Sequence, residues 1–141
     1  MNVTNILPVP NSTNSFYTGV KNELHPTTIF VFGSNLAGRH GKGAAKEAYK
    51  KYDAIYGKSI GRMGESYAIP TKDFELKVLD LSVIRAYVGL FVDYTKHNPN
   101  LNFFVTAVGT GLAGYRDEDM APMFKGAINC WFPASWKQYL E

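Results

Sequence analysis

Two glycine-rich segments are the places where this sequence could hold an anion. The first, Gly33–Gly43, reads GSNLAGRHGKG, and the second, Gly109–Tyr115, reads GTGLAGY. Glycine allows the backbone to adopt a positive φ and to approach a ligand closely, and free N–H groups at the start of a helix attract negative charge. These segments therefore suit a phosphate or a pyrophosphate, with Arg39 and Lys42 available to pair with its oxygens.

Neither segment is a standard nucleotide-binding motif. In the run Gly38–Gly43 of the first segment, Lys42 precedes the final glycine. In a P-loop the lysine follows that glycine and is itself followed by a hydroxyl residue. The glycines of Gly109–Gly114 have the GxGxxG spacing of dinucleotide-binding proteins, but no acidic residue lies between Asp119 and Glu141 to bind a ribose. The residues therefore argue against both a P-loop enzyme and a dehydrogenase.

Both segments lie between a predicted strand and a predicted helix. Thr27–Phe32 and Leu101–Val108 are continuous β-branched and aromatic runs, which is typical of strands buried on both faces. We predict helices over Gly43–Tyr52, from an N-cap at Asp80 to Asn98, and around Glu118–Lys125, and further strands at Ser66–Ile69, stopped by Pro70, and Ile128–Phe132. Strands alternating with helices predict a mostly parallel sheet, whose carboxyl edge would carry both segments.

Length and composition limit the number of domains and the kinds of partner. The 141 residues make one domain, which we divide into an irregular lead-in over 1–26 and a folded part over 27–141. Within the lead-in, Phe16–Val20 could form a short extended piece. Hydrophobic residues form 45% of the chain and exclude disorder of the whole chain. The net charge of +3 is small and scattered, which argues against a nucleic-acid partner, and we assign the many aromatic residues to the core or to contacts between copies of the chain.

Cysteine and hydropathy patterns narrow the location and the chemistry. Cys130 is the only cysteine, so an internal disulfide and a multi-thiolate metal site are excluded, and its apolar neighbours predict a buried thiol. His40 has no second ligand at metal-binding spacing, so we predict no metal site. The sequence shows neither a membrane-spanning apolar run nor the layout of a signal peptide, so we expect a cytoplasmic protein without membrane association.

The order and spacing of the two segments resemble a known family. Val31–Asn35, with Gly41, Gly43 and Ala44 downstream, resembles the first ligand loop of macrodomains, and Gly109–Tyr115 is similar to their second. The likeness spans Thr27–Phe132, although Phe32 stands where macrodomains usually carry another Asn. The runs FGSNLAGRHG and AIPTKD also resemble a group of small phage proteins.

The resemblance implies one three-layer α/β/α domain with a mostly parallel or mixed sheet. It also implies ADP-ribose or a related nucleotide as the ligand and no cofactor, with the first loop near the distal ribose and the second around the diphosphate. The implied ligand-binding residues are Gly33, Ser34, Asn35, Arg39, Gly41, Lys42, Gly43, Ala44, Gly109, Thr110, Gly111, Leu112, Ala113, Gly114 and Tyr115.

Three functions remain open from the sequence. The protein could sequester an ADP-ribose-type nucleotide, in a phage a host immune signal made from NAD. It could hydrolyse an ADP-ribose phosphate or ester, with Asn35 positioning water, or it could be a structural protein with vestigial loops. We find no nucleophile–base pair or carboxylate cluster, which favours binding.

Several of these residues also have purely structural interpretations. Asn35 could cap its own loop, and Arg39 and Lys42 could be solvated surface charges. Tyr115 could belong to the core, or its ring could cover a ribose or a base. Thr71–Asp73 follows a strand and could form the rim of the site or an ordinary loop.

Overall fold

A six-stranded sheet forms the centre of the computed structural model, which describes residues 14–19 and 28–141. The strands are β1 (Ser15–Tyr17), β2 (Thr28–Asn35), β3 (Gly61–Met63), β4 (Ser66–Lys72), β5 (Asn102–Val105) and β6 (Cys130–Pro133). Their order is β1-β6-β5-β2-β4-β3, and every pair is parallel except β3 with β4. The helices are α1 (Gly43–Lys51), α2 (Leu81–His97), α3 (Asp117–Met120) and α4 (Lys137–Leu140), with 3-10 turns at Ala121–Phe124 and Ala134–Trp136.

Each face of the sheet has its own hydrophobic core. On one face, Ala45 and Ala48 of α1 pack against the aromatic side chains of Phe30, Phe32 and Phe104. On the other face, the apolar stripe of α2 and the chain from Met120 to Trp136 pack together; the α2 stripe consists of Ile84, Val88, Phe91 and Val92. Helices therefore cover both faces, which confirms the predicted three-layer α/β domain.

The two strands that precede the glycine-rich segments are central neighbours. β2 pairs with β5 in parallel, with Ile29 opposite Phe103 and Val31 opposite Val105. All four of these side chains are buried. Because parallel strands end at the same edge, both glycine-rich segments leave the sheet side by side, as the sequence predicts.

Several predicted strand ends are wrong. β2 continues beyond Phe32 to Asn35, so the first three residues of the first glycine-rich segment belong to the strand. β4 does not stop before Pro70 but continues to Lys72; β3 pairs with β4 only as far as Ala68, so the missing N–H of Pro70 falls where that side of β4 is free. β5 ends at Val105 rather than Val108. The Thr106 N–H and hydroxyl both donate to the Val31 carbonyl, at 3.0 and 2.8 Å, and the Val108 N–H then donates to the Thr106 carbonyl at 2.7 Å in a tight turn. The third predicted helix is present as one α-helical turn over Asp117–Met120 that continues as a 3-10 turn over Ala121–Phe124.

Part of the segment that we expected to be irregular belongs to the sheet. Ser15–Tyr17 pairs with β6, and the Tyr17 hydroxyl donates to the Val105 carbonyl at 2.6 Å. The Asn14 amide bridges the Ala127 carbonyl and the Cys130 N–H, at 2.9 Å each. Within 1–26 the structure describes only residues 14–19, so the rest of the predicted lead-in lies outside the described residues.

Asp80 and Cys130 lie where the sequence predicts them, at a helix N-cap and in the core, but Asp80 does not cap its helix with its side chain. Asp80 occupies the N-cap of α2, but its side chain makes no capping hydrogen bond. Asp119 accepts the Arg116 N–H at 3.1 Å and completes a capping box at the start of α3. Cys130 is buried, and this burial raises the pKa of its thiol well above the ordinary value, as expected for an unreactive core cysteine. Among the described helices, none is long and apolar enough to cross a membrane.

Alkaline pH is expected to destabilise the fold through buried tyrosines. Burial, with a smaller contribution from Tyr94, raises the pKa of Tyr67 to about 12, and burial also raises the pKa of Tyr17. Above pH 10 the unfolded state loses these protons and the folded state retains them, so the free energy of unfolding falls by up to about 1.4 kcal/mol per pH unit for each tyrosine. Denaturant melts between pH 8 and 12 measure this fall, and Tyr67→Phe should make it shallower; an unchanged slope in that variant would contradict the assignment.

Candidate functional site

A cavity of about 750 Å³ opens at the carboxyl edge of the sheet. The ends of β2, β4 and β5, the first turn of α1 and both glycine-rich loops surround it. Its lining residues are Gly33, Ser34, Asn35, Arg39, Gly41, Lys42, Gly43, Ala44, Ala45, Tyr56, Thr71, Lys72, Leu76, Thr106, Ala107, Val108, Gly109, Thr110, Gly111, Leu112 and Ala113.

The first loop is shaped by the amide of Asn35. Its Nδ2 donates to the Arg39 carbonyl at 2.8 Å, and its Oδ1 accepts the Arg39 N–H at 3.0 Å. One side chain thus holds both polar groups of a backbone unit four residues ahead, as a turn-forming Asn does. The amide keeps one further N–H for a ligand, so loop bracing and ligand contact are compatible at this position.

The start of α1 faces the cavity. Gly43, Ala44 and Ala45 line it, and none of their N–H groups has an acceptor among the described residues. The first helical turn carries no acidic residue, and the N-cap Lys42 makes no side-chain capping bond. A helix start without its own anion leaves partial positive charge for an external one.

The second loop is a turn stabilised by its own backbone. Gly114 N–H donates to the Gly111 carbonyl at 3.0 Å, and Tyr115 N–H donates to the Gly109 carbonyl at 2.9 Å. Gly109 has a φ of +80°, which an L-residue adopts only with strain. Gly111 differs from Gly109, because its φ is not in the positive range that strains an L-residue. A Cβ built on Gly111 would also meet no atom within 4 Å.

The lining is positively charged. Arg39, Lys42 and Lys72 contribute cationic side chains, and no aspartate, glutamate, histidine or cysteine lines the cavity among the residues that the structure describes. None of the three cations has a carboxylate within salt-bridge distance in the same described part of the chain. Uncompensated cations beside the free N–H groups of α1 favour an anionic ligand.

Solved structures show which fold this is. The macrodomain of Mycobacterium tuberculosis DarG superimposes with a TM-score of 0.68 at 17% sequence identity, over 86% of this chain and 97% of that one. Thermosipho africanus DarTG in complex with ADP-ribose matches with a TM-score of 0.57 at 16% identity, over 77% of this chain and 39% of that one. The fold is macrodomain-like.

A third structure and two sequence comparisons complete this result. An alphavirus P23pro-zbd structure matches the macrodomain-like fold with a TM-score of 0.63 at 19% identity, over 90% of this chain and 23% of that one. Comparisons with protein families and with curated proteins find no match. At these identities the likeness shows the fold alone.

The macrodomain-like fold brings together most residues that the sequence singles out. All the predicted ligand-binding residues line the cavity except Gly114 and Tyr115. Tyr115 instead packs against the core of the α2 face, and its hydroxyl donates to the Leu79 carbonyl at 2.6 Å. It therefore connects the second loop to the chain that leads into α2.

Eight lining residues were not among the predicted ligand-binding residues. Thr71 and Lys72 lie at the end of β4, and the sequence had left them open as rim or ordinary loop. Their signal is that they follow a strand and so reach the same sheet edge. No sequence pattern points to Tyr56 and Leu76, because the loops that carry them reach the cavity only through the fold; the remaining four are Ala45, Thr106, Ala107 and Val108.

His40 is part of the scaffold beside the site. Its ring is 1% exposed, and its Nε2 lies 2.9 Å from the Ile55 carbonyl and 3.0 Å from the Lys58 carbonyl. Because both partners are acceptors, Nε2 carries the proton. The described residues contain no group of three or more side chains suited to hold a metal ion.

Proposed function

We propose that this protein binds ADP-ribose or a closely related NAD-derived nucleotide in the cavity between its two glycine-rich loops. The observation that carries the proposal is a lining in which, among the described residues, three cations have no carboxylate partner and no acidic residue occurs, beside the free N–H groups of α1. The solved DarTG structure of similar fold contains ADP-ribose, which supports this ligand class.

The diphosphate is the part of the ligand that these groups fit best. Ala44 and Ala45 offer N–H donors at the start of α1, and Gly111 leaves open space on the second loop for close approach. Lys42 and Lys72 reach the cavity from different elements, so they can pair with separate phosphate oxygens. We therefore propose that the diphosphate lies between the two loops and that one end of the nucleotide extends beyond the first loop.

The size of the cavity agrees with a nucleotide. Ligand sites for small molecules usually measure about 300–1,000 Å³, and this one measures about 750 Å³. Apolar surface from Val108, Leu76 and Leu112 accompanies the cations. A ligand with both a charged centre and apolar rings uses both kinds of surface.

Binding is favoured over hydrolysis. A hydrolase that cleaves a phosphate or an ester from the distal ribose needs a group that activates water. In the described part of the cavity no carboxylate or imidazole is present, and the Asn35 amide already holds the Arg39 backbone. The hydrolase stays the second candidate, with Lys42 and Lys72 as the groups able to stabilise developing charge.

Sequestration gives such a binder a biological use. A protein that holds a NAD-derived nucleotide without converting it lowers the free concentration of that nucleotide. If the chain is encoded by a phage, as its resemblance to small phage proteins implies, we propose that the sequestered nucleotide is a host immune signal.

The test separates binding from turnover with one preparation. Purified protein is incubated for a long time with ADP-ribose and with ADP-ribose 1″-phosphate, each at a stoichiometric ratio and in large molar excess. The protein is then denatured and the nucleotides are separated by chromatography. We expect both to be recovered unchanged, and free ligand at 100 times its dissociation constant should stabilise the fold by about 2.7 kcal/mol. Repeated turnover of the 1″-phosphate would establish the hydrolase instead. If neither nucleotide raises the melting temperature of the protein, both the binding function and the hydrolase function are contradicted.

A further inference from the structure

We propose that Tyr56 forms a separate subsite at the cavity mouth for an uncharged planar group carried by the distal ribose of the nucleotide. The inference rests on the proposed function and on the sequence resemblance, which implies that the distal ribose lies near the first loop. It extends the ligand class from ADP-ribose to a conjugate of ADP-ribose with a flat ring.

Tyr56 lies on a segment that is fastened to the first loop. We call residues 55–59 the brace. Gly57 N–H donates to the Gly38 carbonyl at 2.8 Å, and the Ser34 hydroxyl donates to the Ser59 carbonyl at 2.5 Å. The approach is so close that a Cβ on Gly38 would lie 2.3 Å from the Gly57 carbonyl carbon. Two hydrogen bonds and one close backbone approach therefore attach the brace to the loop that lines the cavity.

His40 fixes the brace from beneath. Its protonated Nε2 is shared between the Ile55 and Lys58 carbonyls, which flank Tyr56 on both sides. The His40 ring also meets the Tyr56 ring edge-on, with centroids 5.7 Å apart. Tyr49 makes a second edge-on contact at 5.6 Å. These contacts hold the ring in one plane and make His40 a positioning residue.

The ring of Tyr56 is held in place but is not covered. It lines the cavity, yet 54% of the residue is exposed. Leu76 and Leu112 also line the cavity and are 42% and 69% exposed, so exposed apolar side chains border the cavity together with the cations. An ordered aromatic ring at an open mouth suits stacking with another flat ring, which every planar heterocycle can provide.

The charge of the cavity decides which planar group fits. Arg39, Lys42 and Lys72 line the same space, and no described lining residue carries a negative charge to offset them. A cationic ring next to these groups is repelled, whereas a neutral ring is not. The subsite therefore selects an uncharged planar substituent.

Calorimetric titrations with ADP, ADP-ribose, NADH and NAD⁺ test this subsite. NADH carries a neutral planar ring on the distal ribose and NAD⁺ carries a cationic one. We expect wild-type protein to bind NADH about tenfold more tightly than ADP-ribose. NAD⁺ should bind less tightly than NADH.

Variants assign the preference to one ring. Tyr56→Ala should remove the tenfold advantage of NADH and leave the affinities for ADP and ADP-ribose within twofold, and Tyr56→Phe should restore it. Ile55→Ala is the matched control, since Ile55 belongs to the same brace and is 50% exposed but does not line the cavity. His40→Gln should lower the NADH advantage without lowering ADP affinity, which a general loss of stability would not do.

The outcomes separate this subsite from the proposed function. If wild-type protein binds ADP-ribose, and binds NADH no more tightly than ADP-ribose, the subsite is refuted and the proposed function stands. If Tyr56→Ala weakens ADP as much as NADH, the ring contacts the part that both share, and the subsite is again refuted. If no nucleotide binds, the proposed function fails and the subsite falls with it.

Discussion

Replacing Gly111 with valine is expected to abolish nucleotide binding while leaving the fold intact. Gly111 lines the cavity, its φ lies outside the left-handed range, and an added Cβ would meet no protein atom within 4 Å. The valine side chain therefore costs the fold little and occupies space that we assign to the diphosphate. We expect the affinity for ADP-ribose, measured by calorimetry, to fall about 100-fold or more, equivalent to about 3 kcal/mol.

Gly89→Val is the matched control for this substitution. Gly89 lies in the exposed surface of α2, and a Cβ there also meets nothing within 4 Å. Valine in a helix is not worse than glycine, so the melting temperature should hold in both variants and affinity should hold only in Gly89→Val. Undiminished binding by a folded Gly111→Val protein would show that the second loop does not cradle the diphosphate.

The central part of the fold could be predicted because its signals are local. The runs around Ile29–Phe32 and Phe103–Val105 contain only residues suited to a strand covered on both faces, and they form β2 and β5. Glycine-rich turns followed them, and parallel strands bring such turns to one edge. The position of the cavity follows from this local pattern.

The edges of the sheet could be predicted only in part, because they depend on distant partners. β1 has three residues and is held by the Tyr17 hydroxyl on Val105 and by its pairing with β6. β4 can continue through Pro70 because β3 pairs with it only as far as Ala68, so no neighbouring strand needs the N–H that Pro70 lacks. In both places the pairing of strands far apart in sequence decides the structure, and local propensity does not.

The site was predicted as two loops, but it is a meeting of at least four segments. Lys72 arrives at the end of β4, and Tyr56 arrives on the brace, which hydrogen bonds from Ser34 and His40 hold to the first loop. Tyr56 has no spacing pattern, because contacts between loops fix its position, whereas Lys72 follows a predicted strand and was left open as rim or ordinary loop. Conversely, Tyr115 looked suited to cover a ligand, and its hydroxyl instead bonds to Leu79.

Lys72→Met is expected to weaken ADP-ribose binding more than Lys42→Met does. Lys72 is partly buried at the end of a strand, whereas Lys42 is exposed at the start of α1. A charge-assisted hydrogen bond at a partly buried position contributes about 1.5–3 kcal/mol, or about 10- to 100-fold in affinity. An exposed ion pair contributes about 0.2–1 kcal/mol, or at most about fivefold. Methionine keeps most of the apolar length of the lysine side chain and removes the ammonium group, with its charge and its N–H donors.

Lys46→Met distinguishes direct contact from the general field of the protein. Lys46 is exposed one helical turn beyond Lys42, and it does not line the cavity. Its removal changes the net charge by the same amount, so any long-range attraction falls equally in all three variants and is screened beyond about 10 Å at 0.1 M salt. Calorimetry at that ionic strength should therefore rank the losses in the order Lys72, Lys42, Lys46, with no measurable loss for the last. Equal losses in the three variants would mean that the cations attract the nucleotide only from a distance, and Lys72 would then have no contact with a phosphate.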